Sequence, residues 1–130
     1  MRKETILVIE DNTKNMRLFR ILLKKGQYEI LEATNAEEGI AMAGKRKPDL
    51  ILMDIQLPGM DGLSATRLIR NIASLREIPV VGLSSYAMEE DARKALEAGC
   101  DGYIVKPINT RTFLDTLKTY LKNGNRGEQR

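Results

Sequence analysis

The feature that most restricts this chain is a repeated alternation of short apolar, β-branched runs with longer stretches of helical spacing. The first strand is expected over about 5–10, Thr-Ile-Leu-Val-Ile-Glu. A helix follows over about 13–25 with Met16, Phe19, Leu22 and Leu23 on one face and Gly26 as its C′ stop. Tyr28 to Ala33 reads as a second strand, and Asn35 with Glu38 reads as a capping box opening a second helix. That helix points Ala36, Ile40 and Ala43 inward and ends before Pro48. Residues 49–54, Asp-Leu-Ile-Leu-Met-Asp, form a strand apolar on both faces, as a central parallel strand requires.

A Pro- and Gly-rich loop over 56–62 leads into a third helix at about 63–73, with Ala65, Leu68, Ile69 and Ile72 inward. Strand four spans about 78–84 and helix four about 89–98, burying Ala92, Ala95 and Leu96 before Gly99 stops it. Strand five covers 102–105, ahead of Lys106 and Pro107. Helix five begins near Thr110 and carries Phe113, Leu114, Leu117, Tyr120 and Leu121. Strands alternating with helices imply right-handed βαβ crossovers and a parallel sheet covered on both faces, a doubly wound α/β fold. One domain over 4–122 accounts for the pattern, with a polar tail at 123–130 and no output domain.

Composition removes several chemistries. The chain has no histidine, which excludes His-dependent triads, His-ligated metals and a phosphohistidine carrier. Its single cysteine, Cys100, forms no internal disulfide and reads as a small buried residue in a reducing compartment. Lys and Arg total 21 against 18 Asp and Glu, and the excess is scattered rather than gathered into an aromatic-interleaved stripe, so nucleic-acid binding is not expected. No apolar run approaches the roughly 20 residues of a membrane span, and no secretory leader is evident at the N-terminus, so the expected location is cytoplasmic.

In open α/β sheets, ligands bind beyond the carboxyl ends of the strands. Those ends carry Glu10 and Asp11, Asp54, Ser84 and Ser85, and Lys106. If strands one and three are neighbours, Glu10, Asp11 and Asp54 converge, and two carboxylates about 4 Å apart repel by roughly 4 kcal/mol at an effective dielectric near 20. Lys106 can neutralise one charge but not three. A hard divalent ion with oxygen ligands fits better, pointing to Mg²⁺ with Mn²⁺ as a substitute. Glu10 and Asp11 could instead simply cap the following helix, but that leaves unexplained why Asp54 ends a wholly apolar strand. An acid, a metal, a hydroxyl and a lysine around one point suit phosphoryl transfer, with Asp54 as the nucleophile, Lys106 neutralising oxygens and Ser84 donating to one of them.

Four stretches also resemble the receiver domain of two-component response regulators across about 4–122: Ile6 to Asn12, Pro48 to Gly62, Pro79 to Met88 and Gly99 to Pro107. Their joint order and spacing are specific, whereas any one alone is weak. The resemblance implies a flavodoxin-like (βα)5 sandwich of strand order 2-1-3-4-5. It implies Asp54 as phosphoacceptor and Glu10, Asp11, Asp54 and the backbone carbonyl of Gln56 as Mg²⁺ ligands. It further implies Ser84 and Tyr103 as switch residues, Lys106 beside a cis Pro107, and Gln56 and Tyr86 as the residues that tune phosphate lifetime. The donor would be a histidine kinase or phosphotransfer protein. The output would be an unidentified protein partner meeting the face of helix four, strand five and helix five, where a phosphorylation-dependent dimer could also form. Glu10 stands where Asp is commoner, Ser84 where Thr is, and Ser85 where Ala is. None of the three removes a required function.

Two other classes compete. A phosphatase of the haloacid dehalogenase type shares the Asp nucleophile and Mg²⁺ but needs a second Asp where this chain has Gln56. A flavodoxin-like electron carrier needs a hydroxyl- and glycine-rich loop after strand one, where Glu10, Asp11 and Asn12 stand instead. Within the preferred class, a free-standing regulator and a receiver from a hybrid histidine kinase are both compatible with the residues.

Overall fold

The structure is a computed structural model and describes residues 3–122; the polar tail at 123–130 lies outside the described residues. Its elements are β1 (Thr5–Ile9), α1 (Thr13–Lys25), β2 (Glu29–Ala33), α2 (Ala36–Arg46), β3 (Leu50–Asp54), α3 (Gly62–Asn71), β4 (Val80–Ser84), α4 (Glu89–Ala98), β5 (Gly102–Val105) and α5 (Phe113–Lys122). The strands form one parallel sheet in the order β2-β1-β3-β4-β5, as the resemblance implied. The chain reverses direction along the sheet beside β1, so β1 and β3 are neighbours and their C-terminal ends flank the switch point.

Alternation along the strands divides the core into two layers. Leu7, Ile9, Ile51 and Met53 face α2, α3 and α4 through Ala36, Ala43, Ala65, Ile69 and Ala95. Ile6, Val8, Leu50 and Leu52 face α1 and α5, where Phe19 and Phe113 stack tilted with centroids 5.7 Å apart. Truncating either buried ring to Ala would cost about 3–5 kcal/mol. β1, β3 and β4 are buried at every position, which is why their sequences run apolar rather than alternating.

Helix ends follow local chemistry, with some departures from the sequence reading. Asn12 caps α1 by accepting from the Asn15 N–H at 2.9 Å. Asn35 caps α2 by accepting from Glu38 N–H at 2.8 Å, but the Glu38 carboxylate reaches back to Thr34 N–H at 2.8 Å rather than to Asn35. Gly26 stays right-handed at φ −80°, and Gln27 takes the positive φ of 66° in the turn. Leu68, Ile72 and Leu96, expected inward, are exposed. The inward line of α3 runs Gly62, Ala65, Thr66, Ile69, and that of α4 runs through Ala95 and Ala98. Leu68 and Leu96 each lie one residue, about 100°, off that line, and Ile72 is already the C-cap of α3. Ala92 and Ile40 are half-buried at the margins of their stripes.

One polar assembly ties the α3–β4 side together. Arg70 donates Nε to Gly99 O (2.8 Å), Nη1 to Ile78 O (2.8 Å) and Arg76 O (3.1 Å), and Nη2 to Asp101 Oδ2 (2.7 Å). Asp101 Oδ2 also accepts from Val80 N–H at 2.9 Å. Gly99, at φ +112°, makes the left-handed turn that a side chain would resist. Nearby Cys100 is buried, and burial pushes its thiol up to about 11, so it stays a neutral core residue. Among the described residues no helix is long and apolar enough to cross a membrane.

Candidate functional site

Sheet register delivers the site. Ile9 pairs with Met53, so Glu10 and Asp54 follow side by side at the ends of β1 and β3. Ser84 pairs with Val105, and Lys106 N–H donates to Ser84 O at 2.8 Å, which sets Lys106 beside the end of β4. The loop after Asp54 folds back tightly, with Gly62 N–H donating to Ile55 O at 3.0 Å. A Cβ on Gly62 would collide with the main-chain carbonyl of Asp54, so only glycine lets α3 start against the end of β3.

Glu10 and Asp54 are buried, Asp11 is exposed, and one carboxylate oxygen from each lies within 4.8 Å of the others. Lys106 Nζ sits 3.0 Å from Glu10 Oε1 and 3.5 Å from Asp54 Oδ2. Glu10 Oε2 accepts from Asn12 N–H at 3.1 Å, while its Oε1 is buried without an aligned hydrogen bond despite the nearby ammonium. Burial, and then the adjacent Asp54, hold the Glu10 carboxyl above its ordinary value. Asp54 Oδ1 accepts from Gln56 N–H at 3.0 Å. A three-carboxylate cluster with a buried oxygen lacking a hydrogen bond is the donor set a hard cation takes, so the residues fit a divalent metal. The side chain that caps α1 by hydrogen bonding is that of Asn12, so neither Glu10 nor Asp11 is its N-cap.

Beside the acids runs a hydrogen-bonded chain. Gln56 Nε2 donates to the buried Ser84 Oγ at 2.9 Å, and Gln56 Oε1 lies 3.4 Å from Ser85 N–H. Tyr86 N–H donates to Ser84 Oγ at 3.0 Å, and the half-buried Tyr103 hydroxyl donates to Tyr86 O at 2.7 Å. The Lys106–Pro107 peptide bond is cis. The structure thus gathers Glu10, Asp11, Asp54 and Lys106 into one cleft and joins Gln56, Ser84, Tyr86 and Tyr103 along its rim. Sequence reasoning missed the roles of Asn12 N–H, the Gln56 side-chain amide and the Tyr86 carbonyl. The cap position of Asn12 was a usable signal, whereas the other two depend on tertiary geometry.

Comparison with known proteins agrees with this architecture. The family model of the response regulator receiver domain matches residues 6–118. The polar-differentiation response regulator DivK of Brucella anthropi is 41% identical over 118 residues, covering 91% of this chain and 96% of that protein. The receiver domain of the sensor histidine kinase PA1611 from Pseudomonas aeruginosa, solved with a magnesium ion coordinated in its active site cleft, is 30% identical. It superposes at a TM-score of 0.86 over 93% of this chain and 99% of its own. The chemotaxis protein CheY4 of Vibrio cholerae is 25% identical, with a TM-score of 0.86 over 91% of this chain and 98% of its own.

Proposed function

The chain belongs to the response regulator receiver domain family, and from that premise we propose that Asp54 accepts a phosphoryl group from the phosphohistidine of a histidine kinase or phosphotransfer protein. The observation that carries this reading is the setting of Asp54: a buried carboxylate on the last residue of β3, next to Lys106 Nζ and facing two further acids. The receiver unit spans 4–122.

In the transfer, an Asp54 oxygen bonds to phosphorus as the bond from phosphorus to the donor imidazole breaks. Gln56 N–H holds the Asp54 carboxylate in orientation through Oδ1. Lys106 Nζ, within reach of both Asp54 and Glu10, neutralises charge on the incoming oxygens. Glu10, Asp11, Asp54 and the Gln56 carbonyl would hold Mg²⁺, or Mn²⁺ in its place. Bound there, the ion supplies further neutralisation of the phosphoryl oxygens. Ser84 then turns its hydroxyl to donate to one of those oxygens. Gln56 and Tyr86, exposed at the rim, govern the approach of water and so the lifetime of the acyl phosphate.

Movement of Ser84 carries Tyr86 and lets Tyr103 change position, altering the face formed by α4, β5 and α5. A protein partner or a second copy of the chain that prefers the altered face then shifts the population. The chain acts in the cytoplasm as a signalling module. It catalyses transfer to itself and loses the group by hydrolysis, without turning over an external substrate. The likeness to the receiver of a sensor histidine kinase supports a second context, the same unit serving within such a kinase, with identical chemistry at Asp54.

Labelling with a panel of phosphorylated kinases in Mg²⁺ tests the reading. Asp54→Ala abolishes incorporation, while Tyr103→Ala keeps incorporation and weakens capture of the target by the labelled form. Equal labelling of Asp54→Ala and the native protein would overturn the assignment.

A further inference from the structure

We propose that the Gln56 side-chain amide is a latch that holds Ser84 and the start of the β4–α4 loop in the resting position, and that it must release before the hydroxyl can turn to the phosphoryl group. The inference rests on the functional reading above but concerns the unphosphorylated protein. A serine hydroxyl has two acceptor sites and one proton. Here the two acceptor sites are taken by N–H donors, Gln56 Nε2 at 2.9 Å and Tyr86 N at 3.0 Å, and among the described residues Ser84 donates to none. Gln56 grips the same segment a second time, with Oε1 toward Ser85 N–H at 3.4 Å.

The two ends of this residue do different work. Its backbone N–H orients Asp54, and its amide restrains Ser84, so one residue bridges the acceptor carboxylate and the switch hydroxyl. The restraint passes onward, because Tyr86 is tied to Ser84 through its N–H and to Tyr103 through its carbonyl. The cap at this end of α4 is weak: its N-cap is Met88, which makes no side-chain cap bond among the described residues and is 71% exposed. The opposite end of α4 is fixed by Arg70 on Gly99 O. Loss of the latch therefore frees the segment nearest the acceptor, with α4 still held at its far end. Gln56 acts through Ser84 and is a positioning residue.

The test compares the native chain with Gln56→Ala and Gln56→Met, the second keeping length without hydrogen bonding. Two readouts are taken: native-state amide exchange without phosphate, and the beryllofluoride concentration that half-saturates the protein in Mg²⁺, followed by fluorotyrosine NMR at Tyr103. One neutral hydrogen bond at an exposed rim is worth roughly a two- to tenfold change. Both variants are therefore expected to exchange Ser85 and Tyr86 amides that much faster, with β1 and β3 unchanged, and to half-saturate at correspondingly lower beryllofluoride. Unchanged exchange in both variants overturns the latch. So does faster exchange with unchanged half-saturation, since the bond would then not oppose the switch. A native protein that ignores beryllofluoride sinks the phosphoacceptor reading instead, and the exchange data still decide whether Gln56 restrains the loop.

Discussion

Replacing Lys106 by Met keeps most of the side chain's length but deletes the ammonium that lies 3.0 Å from Glu10 and 3.5 Å from Asp54. Each such pair carries roughly 5 kcal/mol of raw attraction at an effective dielectric near 20. Part of that is offset by the cost of desolvating a lysine side chain only 14% exposed. Removing one partner of a buried pair costs about 3–5 kcal/mol. Proton uptake sets a ceiling on the loss. Burial and Asp54 already hold Glu10 above its ordinary 4.5, and Lys106 is one of the groups pulling it down, so the substitution raises it further. Because the native carboxyl already lies above 4.5, neutralising Glu10 costs less than about 3.4 kcal/mol at pH 7 and less than about 1.4 kcal/mol at pH 5.5, at roughly 1.4 kcal/mol per pH unit above 4.5.

The sign follows from the direction of the shift. A carboxyl raised on folding keeps its proton in the native state to higher pH than in the unfolded chain. Its contribution is complete below 4.5 and fades as pH rises through the raised native value. The deficit of Lys106→Met is therefore at most about 3 kcal/mol at pH 7 and narrows to at most about 1 kcal/mol at pH 5.5. Urea unfolding of both proteins at the two pH values, without divalent ions, measures it. Mg²⁺ at pH 7 shrinks the gap, because a cation among Glu10, Asp11 and Asp54 restores the positive charge that the lost ammonium supplied. A deficit that is absent, or equal at both pH values, refutes the reasoning.

Two further substitutions probe the frame around the cleft. Arg70→Met removes the donors to Gly99, Ile78, Arg76 and Asp101 and should cost about 2–4 kcal/mol. The loss is read from the urea midpoint, with amide exchange rising first around Gly99–Asp101, and a loss below half a kcal/mol would count against the clasp. Gly62→Ala forces α3 off the Asp54 carbonyl, costing about 1–3 kcal/mol and lowering Mg²⁺-dependent labelling. Native stability with native labelling would show that the contact is not restrictive.

Much of this was legible in the residues because the signals were local. Runs such as Leu50 to Met53 read as central strands, and the acids and lysine at strand tips read as a cleft once β1 and β3 were taken as neighbours. The strand order itself came from family resemblance rather than from periodicity. Helix faces were misjudged where a lone leucine sat beside the inward stripe: small residues, Ala95 and Ala98, set the packing line of α4 and left Leu96 outside. Gly26 ends α1 as its sequence position suggested, and its smallness answers a further need, since a Cβ there would press on Leu114 and Tyr28. The Gln56–Ser84 bond spans 28 residues and could not be read from any local pattern.

The burial of β3 along its whole length has a consequence for how the chain finds its native pairing. A slip of one position against β1 or β4 would exchange the two faces of the strand. It would drag the Asp54 carboxylate between apolar layers or thrust Met53 into the acidic mouth. Either error strands a charge in hydrocarbon or a thioether among carboxylates, at a cost of several kcal/mol. The acid at the tip thus serves as a pin that penalises misaligned sheets, and variants that neutralise it lose a safeguard of folding fidelity.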